Sequence, residues 1–237
     1  MKILYVCTGN IMRSVIAECV TLKRAFEIFG TSKIIDVSSC GIKAMPDSNP
    51  HPSCLKALSK LGIEKCDVRS SQVNEGLLSS SDLVITMTRE QSYQLASMYP
   101  EYSNRVFSII ELNGAIESLV GNGEEIETFE PEKMPPKEAC NILILAAKEL
   151  QNAPREKLRP LPKVPLSVRE LMTLFPGCFR QVSSIEDPLE GTENEIMECA
   201  LLIDREVTLA LKGLALLGLK KAASARNNSA EVNFFLQ

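Results

Sequence analysis

Cys7, Arg13 and Ser14 stand together in one short stretch, Cys7-Thr8-Gly9-Asn10-Ile11-Met12-Arg13-Ser14. A thiol attacks as its thiolate. Inward-pointing backbone N–H groups at the start of a helix favour that form, and the same field holds an oxyanion. Arg13 supplies a planar fork able to grip two phosphate oxygens, a geometry lysine lacks. Ser14 offers a hydroxyl to the sulfur, and Gly9 can turn tightly or take a positive φ. Thr8, Asn10, Ile11 and Met12 complete the loop that would bind the phosphate. The chemistry these residues suit is nucleophilic attack by Cys7 on a phosphate monoester held by residues 8–14.

Such a loop needs a strand before it and a helix after it. Ile3, Leu4, Tyr5 and Val6 form the continuous apolar run of a buried parallel strand. From Val15 the pattern turns helical, with Ile16, Cys19, Val20, Phe26 and Phe29 largely on one side, until Gly30. Ile34 to Val37 reads as a second strand, and strand–helix–strand at this length implies a right-handed crossover between parallel strands. Gly41 to Pro50 is a loop rich in turn residues. His51 opens a helix that Gly62 ends, and is read as a surface residue at the helix start. A polar stretch, 67–80, leads to a strand at Leu83 to Met87, a helix at Arg89 to Met98 and a strand at Val106 to Ile110. The fold class expected is α/β: an open four-stranded parallel sheet with helices on both faces, flavodoxin-like. Ligands of such sheets bind beyond the carboxyl ends of the strands, where Cys7 falls.

Composition sets the outer bounds. A chain of 237 residues, 45% hydrophobic and 24% charged, suits one globular domain with an elaboration. A net charge of −4 argues against a broad nucleic-acid surface. The opening MKILYVCTGN has too short an apolar core for a signal peptide, and no run of apolar residues is long enough to span a membrane. The eight cysteines contain no C-x-x-C pair and there is one histidine, so a zinc site is not expected. A reducing, cytoplasmic setting with most cysteines as small core residues is the expectation.

The loop resembles the signature of the low-molecular-weight protein tyrosine phosphatases, C-x-x-N-x-x-R-S after the first strand. Asp36-Val37-Ser38-Ser39-Cys40-Gly41, Leu83-Val84-Ile85-Thr86-Met87-Thr88 and Ile185-Glu186-Asp187-Pro188 resemble family segments in family order, covering roughly 1–112 and 183–218. The resemblance implies a phosphocysteine mechanism with Cys7 as nucleophile, Arg13 as phosphate clamp and Asp187 as general acid and base, with Glu186 as the fallback. It implies no metal or cofactor. The substrate would be a phosphorylated protein or a small phosphomonoester.

The chain departs from the family pattern at several places. Met12 stands where a second cysteine is common, which removes that route to reversible oxidation. Val15 replaces a frequent proline. Val68 stands where a histidine often orients the loop asparagine, leaving Asn10 to rely on Ser39 or backbone partners. Met45 and Leu189 occupy places where aromatics often line the cleft. Ile11 matches the tyrosine phosphatases, whereas the family's arginine phosphatases carry a threonine there.

One domain over 1–218 is expected, with an insertion at 113–182 and a disordered tail at 219–237. Within the insertion, 121–132 reads as loop and Glu138 to Leu150 as a helix apolar almost all round. Residues 154–165, with four prolines, form an extended connector, and Ser167-Val168-Arg169-Glu170 has capping-box spacing before a short helix ending at Pro176-Gly177. The insertion either finishes the core beside the sheet or acts as a lid or docking arm. Thr192-Glu193-Asn194-Glu195 caps a long final helix whose apolar residues recur at helical spacing.

Three other readings share the scaffold. A protein-arginine phosphatase is one. An arsenate reductase would need a downstream cysteine pair; Cys40, Cys54 and Cys66 are present, but no two lie close in sequence. A non-catalytic phosphate-binding module is the third, motivated by Met12, Val15 and Val68.

Overall fold

A computed structural model describes residues 1–121, 123–131, 134–153 and 184–234, with side chains to 225. Four parallel strands, β1 (Lys2–Cys7), β2 (Asp36–Gly41), β3 (Leu83–Thr86) and β4 (Val106–Ser108), lie in the order β2-β1-β3-β4. The chain crosses from β2 over β1 to β3, so the order reverses at β1, and a crevice opens at the carboxyl ends of β1 and β3. Register sets the crevice walls: Cys7 lies opposite Gly41, and Val6 opposite Thr86.

Side chains on β1 alternate between two cores, Ile3, Tyr5 and Cys7 on one face and Leu4 and Val6 on the other. The first face is covered by α1 (Arg13–Phe29), α2 (Pro52–Lys60), α5 (Ile109–Val120), α7 (Pro136–Asn152) and α8 (Glu193–Phe234). Leu78 of α3 (Glu75–Ser80) and Leu95 of α4 (Arg89–Met98) cover the second. The helix ends follow local rules. Gly30, at φ 72, closes α1 by donating its N–H to Phe26 O, while Thr88 with Gln91 and Ser108 with Glu111 form capping boxes on α4 and α5.

The fold class is as expected, and several boundaries differ. β2 begins at Asp36 rather than Ile34 and runs on to Gly41, because pairing with β1 starts at Lys2↔Asp36 and carries the polar Ser38 and Ser39 into the ladder. The fourth strand ends at Ser108, whose hydroxyl caps α5, so Ile109 and Ile110 are helical. Gly123–Thr128, expected as loop, forms a short helix, α6. The polar stretch before β3 contains α3, capped by Asn74.

Residues 219–234, expected as a disordered tail, continue α8. Lost apolar periodicity signals lost burial, not lost helicity, and Lys220-Lys221-Ala222-Ala223-Ser224-Ala225-Arg226 holds mostly good helix formers and no Gly or Pro. The connector at 154–165 and the helix from Ser167 to Pro176 lie outside the described residues.

The described part of the insertion packs on α8. Ala139, Ile142, Leu143, Ala146, Ala147 and Leu150 of α7 are buried, while Leu145 is exposed, so the helix has a single core face. Contact with α8 is close enough to require glycine. A Cβ at Gly213 would stand 2.6 Å from Cγ2 of Ile116, and one at Gly218 2.6 Å from Cγ2 of Ile142.

Candidate active site

The loop after β1 wraps back on Cys7. Cys7 Sγ lies 3.0 Å from Ser14 Oγ and accepts a hydrogen bond from the Asn10 backbone N–H at 3.3 Å. Asn10, 1% exposed, ties the loop together. Its amide nitrogen donates to Ser14 Oγ at 2.9 Å and to Ser39 Oγ at 2.8 Å, and its Oδ1 accepts from the Ser71 N–H at 2.8 Å. The partners expected in place of the missing histidine are therefore Ser39 and a backbone N–H. The positive φ of the loop falls at Asn10 (53°) rather than at Gly9. Asparagine tolerates that region better than most residues.

The strand ends beside the loop fix it in place. Lys43 N–H donates to Thr8 O, His51 N–H to Ile11 O and Ile42 N–H to Cys7 O, each at 2.9 Å. His51 itself caps α2, its ring accepting from the Ser53 N–H, as its position at a helix start implied. Gly41 permits the approach: a Cβ there would meet Thr8 O at 2.6 Å and Asn10 N at 3.0 Å. From the β3 side, Gln91 Oε1 accepts from the Met87 and Thr88 N–H groups while its amide donates to Thr8 Oγ1 at 3.1 Å. Sequence reasoning assigned neither Gly41 nor Gln91 to the site. The spacing Thr88-x-x-Gln91 is a helix-start signal in the sequence, but nothing in it points to Thr8.

Arg13 opens α1 and is 3% exposed. Its guanidinium donates to Ile185 O at 3.0 Å and pairs with Asp187 Oδ2 at 2.5 Å. Residues 184–188 reach it because Ile185 N–H donates to Met87 O at 2.8 Å, at the carboxyl end of β3. Asp187, half exposed, is thus the carboxylate beside Arg13, and Leu189 N–H donates to its Oδ1 at 3.2 Å. Met45 and Leu189 are both exposed. Met12 is buried, and its carbonyl starts the α1 ladder by accepting from Ile16.

A thiol with a backbone N–H on its sulfur, a guanidinium fork and a carboxylate from a distant loop meet at one strand end. The model of the family "Low molecular weight phosphotyrosine protein phosphatase" matches residues 2–119. The protein-arginine-phosphatase of Bacillus subtilis (strain 168) is 36% identical over 111 residues, 47% of this chain and 71% of that protein. The chain belongs to the low-molecular-weight phosphotyrosine protein phosphatase family.

Other relatives agree with that placement. The low-molecular-weight protein-tyrosine-phosphatase PtpB of Staphylococcus haemolyticus is 31% identical over 132 residues, 54% of this chain and 87% of its own length. Among solved structures, a mutant of the YwlE arginine phosphatase with a phosphorylated active-site serine superposes with a TM-score of 0.56 at 20% identity, covering 90% of this chain and 94% of that one. The low-molecular-weight protein tyrosine phosphatase of T. tengcongensis gives 0.55 at 20% identity, covering 88% and 96%. These likenesses show a shared fold. The phosphatase family brings hydrolase chemistry with it.

Proposed function

We propose that this low-molecular-weight phosphatase hydrolyses phosphotyrosine in proteins, with Cys7 as nucleophile, Arg13 and the amides of residues 8–14 as phosphate clamp, and Asp187 as general acid and base. The observation that carries the assignment is the 2.5 Å pairing of Asp187 with Arg13 of the Cys7 loop, residues 174 positions apart. Cys7 Sγ attacks phosphorus in line. The S–P bond forms as the bond to the leaving oxygen breaks, and Asp187 gives that oxygen its proton. Asp187 then takes a proton from the attacking water, the S–P bond breaks, and inorganic phosphate leaves. Phosphate oxygens on the Arg13 fork displace the Asp187 carboxylate from it; freed of the ion pair, the carboxylate takes a proton from solvent and turns as the acid towards the leaving group. The loop amides and the α1 N-terminus stabilise the equatorial oxygens throughout. Catalysis through a thiolate needs a reduced Cys7, which fits the cytoplasm.

A second substrate, phosphoarginine, is favoured by one observation, the 36% identity to a protein-arginine-phosphatase. Ile11 speaks for phosphotyrosine, and the lack of aromatics at Met45 and Leu189 removes a stacking surface for its ring.

The test is phosphate release from p-nitrophenyl phosphate, then from phosphotyrosine- and phosphoarginine-bearing peptides. Cys7→Ser should abolish all turnover. Asp187→Ala should lose about 100-fold in kcat on phosphotyrosine, in the range of general acid catalysis, and less on p-nitrophenyl phosphate, whose leaving group needs little acid help. Turnover surviving Cys7→Ser overturns the mechanism, and a higher kcat/KM for phosphoarginine overturns the substrate choice.

A further inference from the structure

Two thiols outside the active site face each other. Cys19 on α1 and Cys66, in the loop between α2 and α3, have their sulfurs 3.4 Å apart, with the Cys19 S–H donating to Cys66. They are 47 residues apart in sequence, so nothing in the spacing of the cysteines pairs them. Cys19 is buried, while Cys66 is part-exposed between the exposed Lys65 and Asp67. Met12 removes the second thiol common in the phosphate loop. Cys7 instead contacts the Ser14 hydroxyl and an amide N–H, neither of which can close a disulfide with it.

We propose that Cys19 and Cys66 form a peroxide-reactive dithiol that closes reversibly to a disulfide. Cys66 is the attacking sulfur, being the accessible one and the one that accepts the hydrogen bond. Its thiolate displaces hydroxide from a hydroperoxide, giving a Cys66 sulfenic acid. Cys19, already in van der Waals contact, then attacks Cys66 Sγ and water leaves. Two thiols and one hydrogen peroxide become one disulfide and two waters.

The electrostatics run in the same direction. The hydrogen bond from Cys19 pulls the Cys66 thiol below its ordinary range, against partial burial, with help from the Val68 backbone and opposition from Glu18 and Asp67. Donating that hydrogen bond, together with burial, keeps Cys19 protonated. A low-pKa, accessible thiol beside a resolving partner is the arrangement that peroxide selects. Bonding needs the sulfurs to close from 3.4 Å to about 2.05 Å, a movement available to the loop that carries Cys66.

The pairing also ties together two segments that hold the phosphate loop. Cys19 lies on the helix that starts at Arg13, and the Cys66 loop leads to Ser71, whose N–H binds Asn10. The inference does not depend on the catalytic reading.

The reduced full-length protein would be treated with a small molar excess of hydrogen peroxide, quenched with N-ethylmaleimide, digested without reductant and read by mass spectrometry. A Cys19–Cys66 linked peptide, two hydrogens lighter than the separate peptides and reversed by dithiothreitol, should appear before any other cysteine product. Cys19→Ser should stop at a Cys66 sulfenic acid trapped by dimedone. Cys66→Ser should give no linked peptide while keeping wild-type turnover of p-nitrophenyl phosphate. Cys19 and Cys66 recovered as free thiols after other cysteines have reacted would overturn the proposal. So would Cys66 linked to a different cysteine, or unhindered disulfide formation in Cys19→Ser.

Discussion

Asn10 makes three side-chain hydrogen bonds from a left-handed backbone, so two contributions are superposed at one residue. Asn10→Ala removes both, and Asn10→Gly restores the backbone alone. If the side chain positions Cys7 and Ser14, both variants should lose kcat by about 10–100-fold, the scale of a small misplacement. Both should also lose stability, because buried partners are left unsatisfied, and Ala should lose more, because it adds strain at the positive φ. Recovery of kcat in the glycine variant would mean that the backbone conformation is the whole contribution. Glu18, on α1 next to Cys19, makes a separate prediction. Its Oε2 is buried without a partner, and burial raises its pKa against the lowering effect of a Ser39 hydrogen bond. The folded state therefore holds this proton more tightly than the unfolded chain, whose Glu titrates at about 4.3. Its contribution is fully present below that value and is lost as pH rises through the folded pKa. Glu18→Gln should raise Tm at pH 8, and the gain should shrink towards pH 4. Calorimetry across that range reads it directly, and a gain independent of pH would reject the buried-charge explanation.

At the scale of elements, Gly41 and Gly218 mark two of the approaches that leave no room for a side chain. Gly41→Ala on β2 pushes on Thr8 O and Asn10 N, backbone atoms of the loop itself. Its expected signature is a raised KM for p-nitrophenyl phosphate and weaker inhibition by inorganic phosphate, with near-native circular dichroism. Unchanged phosphate inhibition would show that the loop yields freely. Gly218→Ala on α8 presses on Ile142 of α7, and should cost about 1–3 kcal/mol of stability by overpacking without altering KM, as urea unfolding would measure. The sheet and its principal helices were legible because continuous apolar runs and period-3.6 patterns report burial, and burial is what a parallel sheet covered on both faces imposes. What escaped were features decided by backbone pairing or by non-local contact. Ser38 and Ser39 are polar yet lie in a strand, because β1 pairs with them. Gln91 lies unremarked in the first turn of a helix until its amide is seen to reach Thr8. The cleft's second wall was legible only through resemblance: no local signal in Asp187-Pro188 says that it returns to Arg13. The Cys19–Cys66 contact left no trace in the sequence.

At the scale of the molecule, the question is which part of the insertion belongs to the domain. We propose that 113–153 is core and that 154–183 is dispensable for the chemistry. The chain leaves the described insertion at the amino end of β3, where Gln151 donates to Asp82 O, and returns at the carboxyl end, where Ser184 Oγ accepts from the Arg89 N–H. Those points are separated by roughly the length of the strand with its flanking residues, about 17 Å at 3.3 Å per residue. A Gly/Ser linker of about ten residues reaches about 33 Å when extended, ample to replace 154–183. Ile185 keeps its bond to Met87, and Arg13 keeps Ile185 and Asp187, because none of these contacts involves the replaced segment. The linker variant should therefore fold and turn over p-nitrophenyl phosphate with kcat/KM within about threefold of wild type, less than 1 kcal/mol of transition-state stabilisation. Leu143→Ala provides the contrast, since Leu143 is fully buried against the core and its truncation should cost about 2–5 kcal/mol. Normal small-substrate turnover by the linker variant, with kcat/KM altered only on a phosphoprotein, would assign 154–183 to substrate contact. Loss of p-nitrophenyl phosphate turnover in a folded linker variant would place that segment in the catalytic machinery and reject the division proposed here.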